Sequence, residues 1–250
     1  MSALEIHILG VGDAFSERYR PSALLLIYEG FHLAIDCPDG YRAALRSAAE
    51  KSGRALSLES IDHVLLTHIH GDHINGVEAV AFYKHFAEGK RLHLLSSPEL
   101  RQVIWEQRLV ASMGQLWDGE ALRTKRFEDY FEHQPLAWGG VTQLGPFRIR
   151  TRRTRHHVPT SALRIEAGDH SLGYSADTAF DPELIDFLAP AECIIHETNR
   201  GPAHTPYEAL AALPGALRQR MRLIHYPDDF DLEASAIRPL REGERLELGD

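Results

Sequence analysis

Cysteine is scarce in this chain: two residues in 250, Cys37 and Cys193, both in apolar, strand-like surroundings. That excludes a disulfide-built scaffold and suits reduced thiols and a cytoplasmic home. No run of eighteen apolar residues occurs, so no membrane span is expected. The opening "MSALEIHILGVG" has no basic stretch leading into an apolar run and a small-residue cleavage site, so no secretory signal is expected. There is no GxSxG, and neither cysteine has a convincing partner, which leaves nucleophilic serine or cysteine chemistry without support. "LGVGDAF" lacks the third glycine of a dinucleotide fingerprint. Positive charge is also short, with 27 Lys and Arg against 36 Asp and Glu, a formal net charge of −9 that disfavours a polyanion-gripping surface. The one basic run, "FRIRTRRTRHH" (Phe147 to His157), reads equally as a solvated strand edge. No linker or low-complexity segment divides residues 1–250, so one domain is expected.

Histidine, by contrast, is abundant: fifteen residues. Strand patterns alternate with helical ones along the chain. "LEIHILGVG" reads as a strand ending in a sharp turn, and "ALLLIYEGFHLAIDC" as a hairpin turning at Glu29-Gly30. "YRAALRSAAEKSG" is helical in composition and stops at Gly53. "IDHVLLTH" is a buried strand, followed by a polar loop and a helix with apolar positions Val77, Val80, Ala81, Phe82 and Phe86. "RLHLLSS" reads as a strand, and "PELRQVIWEQRLVASMG" as a helix with proline in its first turn. Residues 117–140, with a short helix in "RFEDYFEH", suit either a lid or a packing insertion. Further strands follow in "FRIRTRRT", "SALRIEA", "HSLGYSAD", "ECIIHE" and "RLIHYPD", with helices at "DPELIDFLA" and "TPYEALAALPGALRQRM". Two strand-rich halves flanked by helices suggest stacked sheets covered on both outer faces.

The densest chemistry lies in "THIHGDH". His68 and His70 alternate after a strand and point to one side. Gly71 lets the chain turn, bringing Asp72 and His73 to the same place. Two adjacent ions can share such a set, since zinc accepts N and O donors. A metal-free histidine turn is the bland alternative. Further donors stand at other strand ends: His156 or His157 in "TRHHVPT", Asp177 in "YSADT" and His225 in "LIHYP". Each is weak alone, because a strand-end histidine is more often a polar cap. Their coincidence favours metal.

These residues resemble the metallo-β-lactamase fold hydrolases, in the branch related to ribonuclease Z, nearly end to end. "THIHGDH" matches the signature motif, "LAIDCPDG" resembles the element whose aspartate (Asp36) supports the metal loop, and "YSADT" and "LIHYP" match the later metal blocks. "IIHETN" and "AHTP" resemble two blocks particular to the branch. The resemblance implies an α/β, four-layer αββα sandwich with the site along one edge. One ion would be held by His68, His70 and His156, with His157 next to it as the alternative. The other would be held by Asp72, His73 and His225, with Asp177 bridging. Glu197 and His204 would form a pair near the ions, though Thr205-Pro206 also reads as a helix cap. Arg20 and Ser22, in the opening loop, are candidates for substrate contact, and His63 for a residue behind the ligands.

The activity implied is a metal-dependent hydrolase using two divalent ions, expected to be zinc with manganese or iron as alternatives, and a metal-bridged hydroxide. Asp72 would orient the nucleophile and His204, held by Glu197, would protonate the leaving group. A phosphodiesterase acting on a small diester, a cyclic nucleotide or an RNA end is the leading expectation. A lactonase or ester hydrolase is the alternative on the same ions. A tRNA 3′-processing endonuclease is another, disfavoured because no long basic arm is present. A flavin-linked diiron reductase would prefer glutamate where His70 stands, and a catalytically dead binding protein would be expected to have lost ligands. A homodimer and a short nucleic-acid or small-molecule partner fit the resemblance.

Overall fold

A computed structural model describes residues 2–249. In chain order its strands are β1 (Leu4–Gly10), β2 (Ala23–Tyr28), β3 (Phe31–Ile35), β4 (His63–Leu65), β5 (Leu92–Ser96), β6 (Gln115–Trp117), β7 (Leu122–Thr124), β8 (Phe131–Pro135), β9 (Val141–Leu144), β10 (Phe147–Arg153), β11 (Ser161–Ala167), β12 (His170–Tyr174), β13 (Cys193–Glu197), β14 (Met221–Ile224), β15 (Arg238–Pro239) and β16 (Arg245–Leu248). They form two seven-stranded sheets, β16-β1-β2-β3-β4-β5-β8 and β15-β14-β13-β12-β11-β10-β9, and a small β6-β7 hairpin.

Strand periodicity sorts the side chains. Ile6, Ile8, Leu24 and Leu26 enter one core with Phe147, Ile149, Leu163 and Ile165 of the other sheet. The alternate positions Leu9, Ala23, Leu25 and Ala34 pack instead on Ala44, Leu45, Val77, Val80 and Ile104 of the covering helices. On the other outer face Leu184 and Leu188, from helix Pro182–Leu188, cover the second sheet. Each such fully buried aliphatic side chain contributes about 1.5–3 kcal/mol. The result is the αββα sandwich that the resemblance implies.

Several local readings are met for stated reasons. The β2–β3 hairpin turns through Glu29 and Gly30, both with positive φ (51° and 79°), which matches the right-handed strand twist. Helix Tyr41–Ser52 ends at Gly53 in the left-handed region. Ser97 accepts from the Leu100 amide and Pro98 opens the helix that continues, with one wider turn, to Met113.

Others are corrected. Phe86 was expected on an apolar helix face but is 59% exposed, because the helix widens after Tyr83 and turns that position outward. The long helix read in "TPYEALAALPGALRQRM" is split by Pro214 into Tyr207–Ala211 and Gly215–Arg220, and its last residue, Met221, opens β14. Thr205 does not cap it: its hydroxyl donates to the Thr178 carbonyl. Within residues 117–140, Phe127–Tyr130 makes one helical turn and β8 extends the first sheet, which is a packing role, while the β6-β7 hairpin stands exposed. The basic run is not an edge: β10 lies between β9 and β11, and its arginines pair with acids, Arg148 with Glu166 and Arg152 with Glu183, as does Arg155 beyond the strand with Asp181.

Candidate metal centre

Parallel pairing brings the site together. In one sheet β3, β4 and β5 run parallel, and in the other β12, β13 and β14 do. Their C-terminal ends share one edge of the sandwich, where Ser161 N–H donates to the Thr67 carbonyl across the two sheets. Asp36 follows β3, the "THIHGDH" loop follows β4, Asp177 follows β12, Glu197 ends β13 and His225 follows β14. His156 comes from the β10–β11 loop.

Two donor groups result. His68, His70, His156 and Asp177 place one ligand atom each within 4.8 Å of one another, and Asp72, His73, Asp177 and His225 do the same. His70 Nδ1 lies 3.2 Å from His68 Nε2 and 3.1 Å from His156 Nε2. His73 Nε2 lies 3.4 Å from both Asp72 Oδ2 and Asp177 Oδ1, and His225 Nε2 is 3.5 Å from Asp177 Oδ2. Tetrahedral ligands at zinc distances stand about 3.3 Å apart, so these spacings fit an ion at each group's centre.

The surroundings dictate which nitrogen faces inward. His73 Nδ1–H donates to Asp36 Oδ2 at 2.7 Å, leaving buried Nε2 without a partner. His156 Nδ1–H donates to the Ala203 carbonyl at 3.1 Å. His68 Nδ1–H donates to Thr67 Oγ1 at 3.0 Å, and that hydroxyl donates in turn to Asp36. In each ring the free lone pair therefore points into the cluster, the arrangement that supporting hydrogen bonds impose on metal-binding imidazoles. Burial lowers His68 well below the ordinary imidazole range and His156 to about 4, so both rings are neutral donors at neutral pH. At the second group burial opposes charge, but the carboxylates win. Asp177 and Asp36 raise His73 well above its usual value, and Asp177 with Asp72 brings His225 to about 9. The carboxylates demand positive charge there, and a proton and a divalent ion compete for the place.

Backbone strain concentrates at the same spot. Among described non-glycine residues, positive φ occurs at Asp36 (62°), Ala176 (49°) and His225 (59°), besides the hairpin turn at Glu29. Such conformations cost about 1–3 kcal/mol each and persist where the surroundings enforce them. Gly76 closes the loop against backbone, since a Cβ there would meet the Pro38 carbonyl oxygen at 2.2 Å.

His204 covers the second group. Its ring stacks on His225 at 5.3 Å, and its Nδ1–H donates to Glu197 Oε1 at 3.0 Å. Burial raises the Glu197 carboxyl. Burial works against charge on His204 too, but the bond to Glu197 outweighs it and lifts the imidazole above its ordinary range. Thr178 N–H also donates to Glu197 Oε1, at 2.8 Å.

Of the other residues singled out, His157 is exposed and stands outside both groups, its ring 6.2 Å from that of His70. Arg20 is taken by Glu242, and Ser22 is buried on the Gly12 carbonyl, so both hold the opening loop rather than face the donors. His63 begins β4 at the far end and stacks on Phe31 at 4.4 Å, away from the donor groups. The groups behind the donor rings are instead Asp36, Thr67 and the Ala203 carbonyl. Thr67 carried a signal, its place between strand and first histidine. The Ala203 carbonyl carried none, being a backbone atom 47 residues from the ring it holds.

The family model of the anti-Pycsar protein Apyc1 matches residues 4–241. The chain belongs to the Apyc1 family. An anti-Pycsar protein Apyc1 from Paenibacillus sp. (strain J14) is 35% identical over 236 residues, covering 92% of this chain and 91% of the relative. Among solved structures, the metallo-β-lactamase fold protein YhfI from Bacillus subtilis superposes with TM-score 0.76 at 20% identity, covering 98% and 99% of the two chains. Unliganded yeast PDE1 gives TM-score 0.75 at 13% identity over 99% and 100%, and the short form of human tRNase Z gives 0.69 at 17% over 97% and 98%. These likenesses show the fold.

Proposed function

We propose that this protein is a metal-dependent phosphodiesterase acting on a small diester, with a cyclic nucleotide as the favoured substrate class. The observation that carries the reading is the pair of donor groups sharing Asp177, with His204, held on Glu197, stacked against them. The name of the Paenibacillus relative and the tRNase Z and PDE1 neighbours support phosphodiester chemistry. The ion-paired state of the basic run favours a small substrate over a long RNA.

His68, His70 and His156 would hold one divalent ion, Asp72, His73 and His225 the other, with Asp177 between. Bound there, the ions would supply a water acidified toward neutral pH and neutralise charge on the phosphoryl oxygens. Asp72 would orient that water and take its proton. His204 keeps its Nδ1–H on Glu197 and presents Nε2 to the leaving oxygen. As the water oxygen bonds to phosphorus and the ester P–O bond breaks, His204 Nε2–H delivers its proton to the departing alkoxide. Glu197 is a positioning residue, holding the ring and its charge.

The test is turnover of bis(p-nitrophenyl) phosphate and 3′,5′-cyclic AMP by zinc- or manganese-loaded protein, with Asp177→Ala as blank. His204→Ala should lower kcat on cyclic AMP by roughly 10²–10⁴ while metal content stays near wild type. The activated p-nitrophenolate leaving group needs less protonation and should suffer less. Turnover of lactones and esters with neither diester touched would overturn the reading in favour of an ester hydrolase.

A further inference from the structure

Four donors sit on one turn, and an arginine from a distant helix brackets that turn. Arg108 Nη1–H donates to the Ile69 carbonyl at 2.8 Å, and its Nη2–H donates to Asn75 Oδ1 at 2.6 Å. Between those two acceptors lie His70, Asp72 and His73, and His68 immediately precedes the first. Asn75 is itself fixed. Its Nδ2–H donates to Asp39 Oδ2 at 3.0 Å, which turns the amide oxygen toward the guanidinium. The planar fork of arginine suits two acceptors at once, where a lysine would serve one.

The shape of its helix brings Arg108 there. The buried stripe runs Leu100, Ile104, Leu109 and Met113, so one step is five residues where the others are four. That step is the wider π turn Trp105–Leu109. A regular helix would put Arg108, four residues after Ile104, on the buried stripe. The extra residue gives that place to Leu109 and leaves Arg108 beside it at the surface, bonded to the donor turn. Insertions of this kind recur at functional sites. The stripe packs in one cluster with Val77 and Val80, and Ser112 donates to Glu78, so the arginine is held from a rigid base.

His70 is the donor that needs such a clamp. His68, His73 and His156 are each aimed by a bond from Nδ1 to a group behind the ring. His70 instead turns Nδ1 itself toward His68 and His156, and among the described residues its Nε2 has no hydrogen-bond partner. Its direction is left to the backbone, and the Ile69–His70 peptide is the group that Arg108 holds. We infer that Arg108 is a positioning residue of the first donor group, aiming His70 through the Ile69 carbonyl. The inference rests on the metal-centre part of the proposed function and not on the choice of substrate. The second group depends less on the clamp, because His73 has its bond to Asp36 and its carbonyl accepts from Cys37 N–H at 2.7 Å.

Zinc titration against a chelating dye, on metal-stripped protein, tests this by binding rather than turnover. Arg108→Met keeps the stem and removes the donors. It should weaken one zinc equivalent about tenfold, the lower end of what supporting partners of metal-binding imidazoles contribute, and leave the other within about twofold. In a His156→Ala background, where the first group already lacks a donor, adding Arg108→Met should change the remaining equivalent less than about twofold. Arg108→Lys, which keeps one charged donor for the Ile69 carbonyl, should recover much of the lost affinity. The urea midpoint of metal-free Arg108→Met protein should match wild type, because Arg108 is exposed. Unchanged affinity for both equivalents, or the same loss in the His156→Ala background, would overturn the assignment. A lowered metal-free midpoint with no recovery by lysine would also overturn it, making the clamp a fold contact only. Wild-type protein that takes up no zinc would remove the metal centre itself, and this inference with it.

Discussion

Asp36→Asn isolates the device that aims the His73 lone pair into the donor group. Asp36 is fully buried, and its Oδ1 accepts from Thr67 N–H at 2.8 Å and from the Thr67 hydroxyl at 3.0 Å, while Oδ2 accepts from His73 Nδ1–H at 2.7 Å. Asparagine keeps the shape and tolerates the left-handed backbone (φ 62°), so the fold should survive. It cannot keep both acceptors. The Thr67 amide can only donate, so the carboxamide oxygen must stay on its side and the NH₂ must face His73. His73 Nδ1 would then have to accept, which moves its proton to Nε2, the atom 3.4 Å from Asp72 and Asp177. The inward lone pair is lost. Losing such a supporting partner typically costs 10–100-fold in metal affinity, about 1.4–2.7 kcal/mol. Competitive titration of zinc against a chelating dye, on wild type and variant, reads it directly. The variant should bind one equivalent with clearly reduced affinity. Wild-type affinity for every bound equivalent in a folded Asp36→Asn protein would refute the reasoning.

Further outcomes follow from the same geometry. His156→Ala should lose zinc stoichiometry while His157→Ala keeps it, because only His156 reaches the donor group; atomic absorption after dialysis distinguishes them. His196 is fully buried and brought to about 4 by burial, so the folded state binds fewer protons than the unfolded chain below the ordinary imidazole value near 6.5. Its contribution is fully present above that pH and is lost as pH falls toward 4, a cost of up to about 3 kcal/mol. His196→Phe should therefore flatten the decline of urea-unfolding free energy between pH 7 and 4.5, and an unchanged slope would count against it. Gly76→Ala forces a Cβ onto the Pro38 carbonyl and should cost about 1–3 kcal/mol or more, seen as a lower urea midpoint at unchanged m-value.

The readable part of the site was the part written locally. "THIHGDH" carries four donors on one turn because strand alternation and a glycine suffice to aim them, and no long-range contact is needed to suspect a metal. Asp177 and His225 were legible as polar residues ending apolar strands, and Glu29-Gly30 as a hairpin, because turn chemistry and strand ends are short-range. The αββα layering followed from two strand-rich halves with helical flanks. The sequence by itself thus determined the donor types, their strand-end positions and the alternation that builds two sheets.

Other features were decided only in three dimensions. His156 rather than His157 enters the donor group because the β10–β11 loop turns one ring inward onto the Ala203 carbonyl and leaves its neighbour in solvent. His63 was misplaced because a strand has two ends, and the parallel sheet puts the donors at the other one. Arg20 and Ser22 were drawn to the site by their loop, then claimed by Glu242 and the Gly12 carbonyl. The Ile69 carbonyl is taken by Arg108, from a helix more than thirty residues downstream. Local pattern determines which groups are offered; hydrogen-bond partners distant in the chain determine which lone pair or ring faces the donor groups, since a buried polar atom must take the partner that packing supplies.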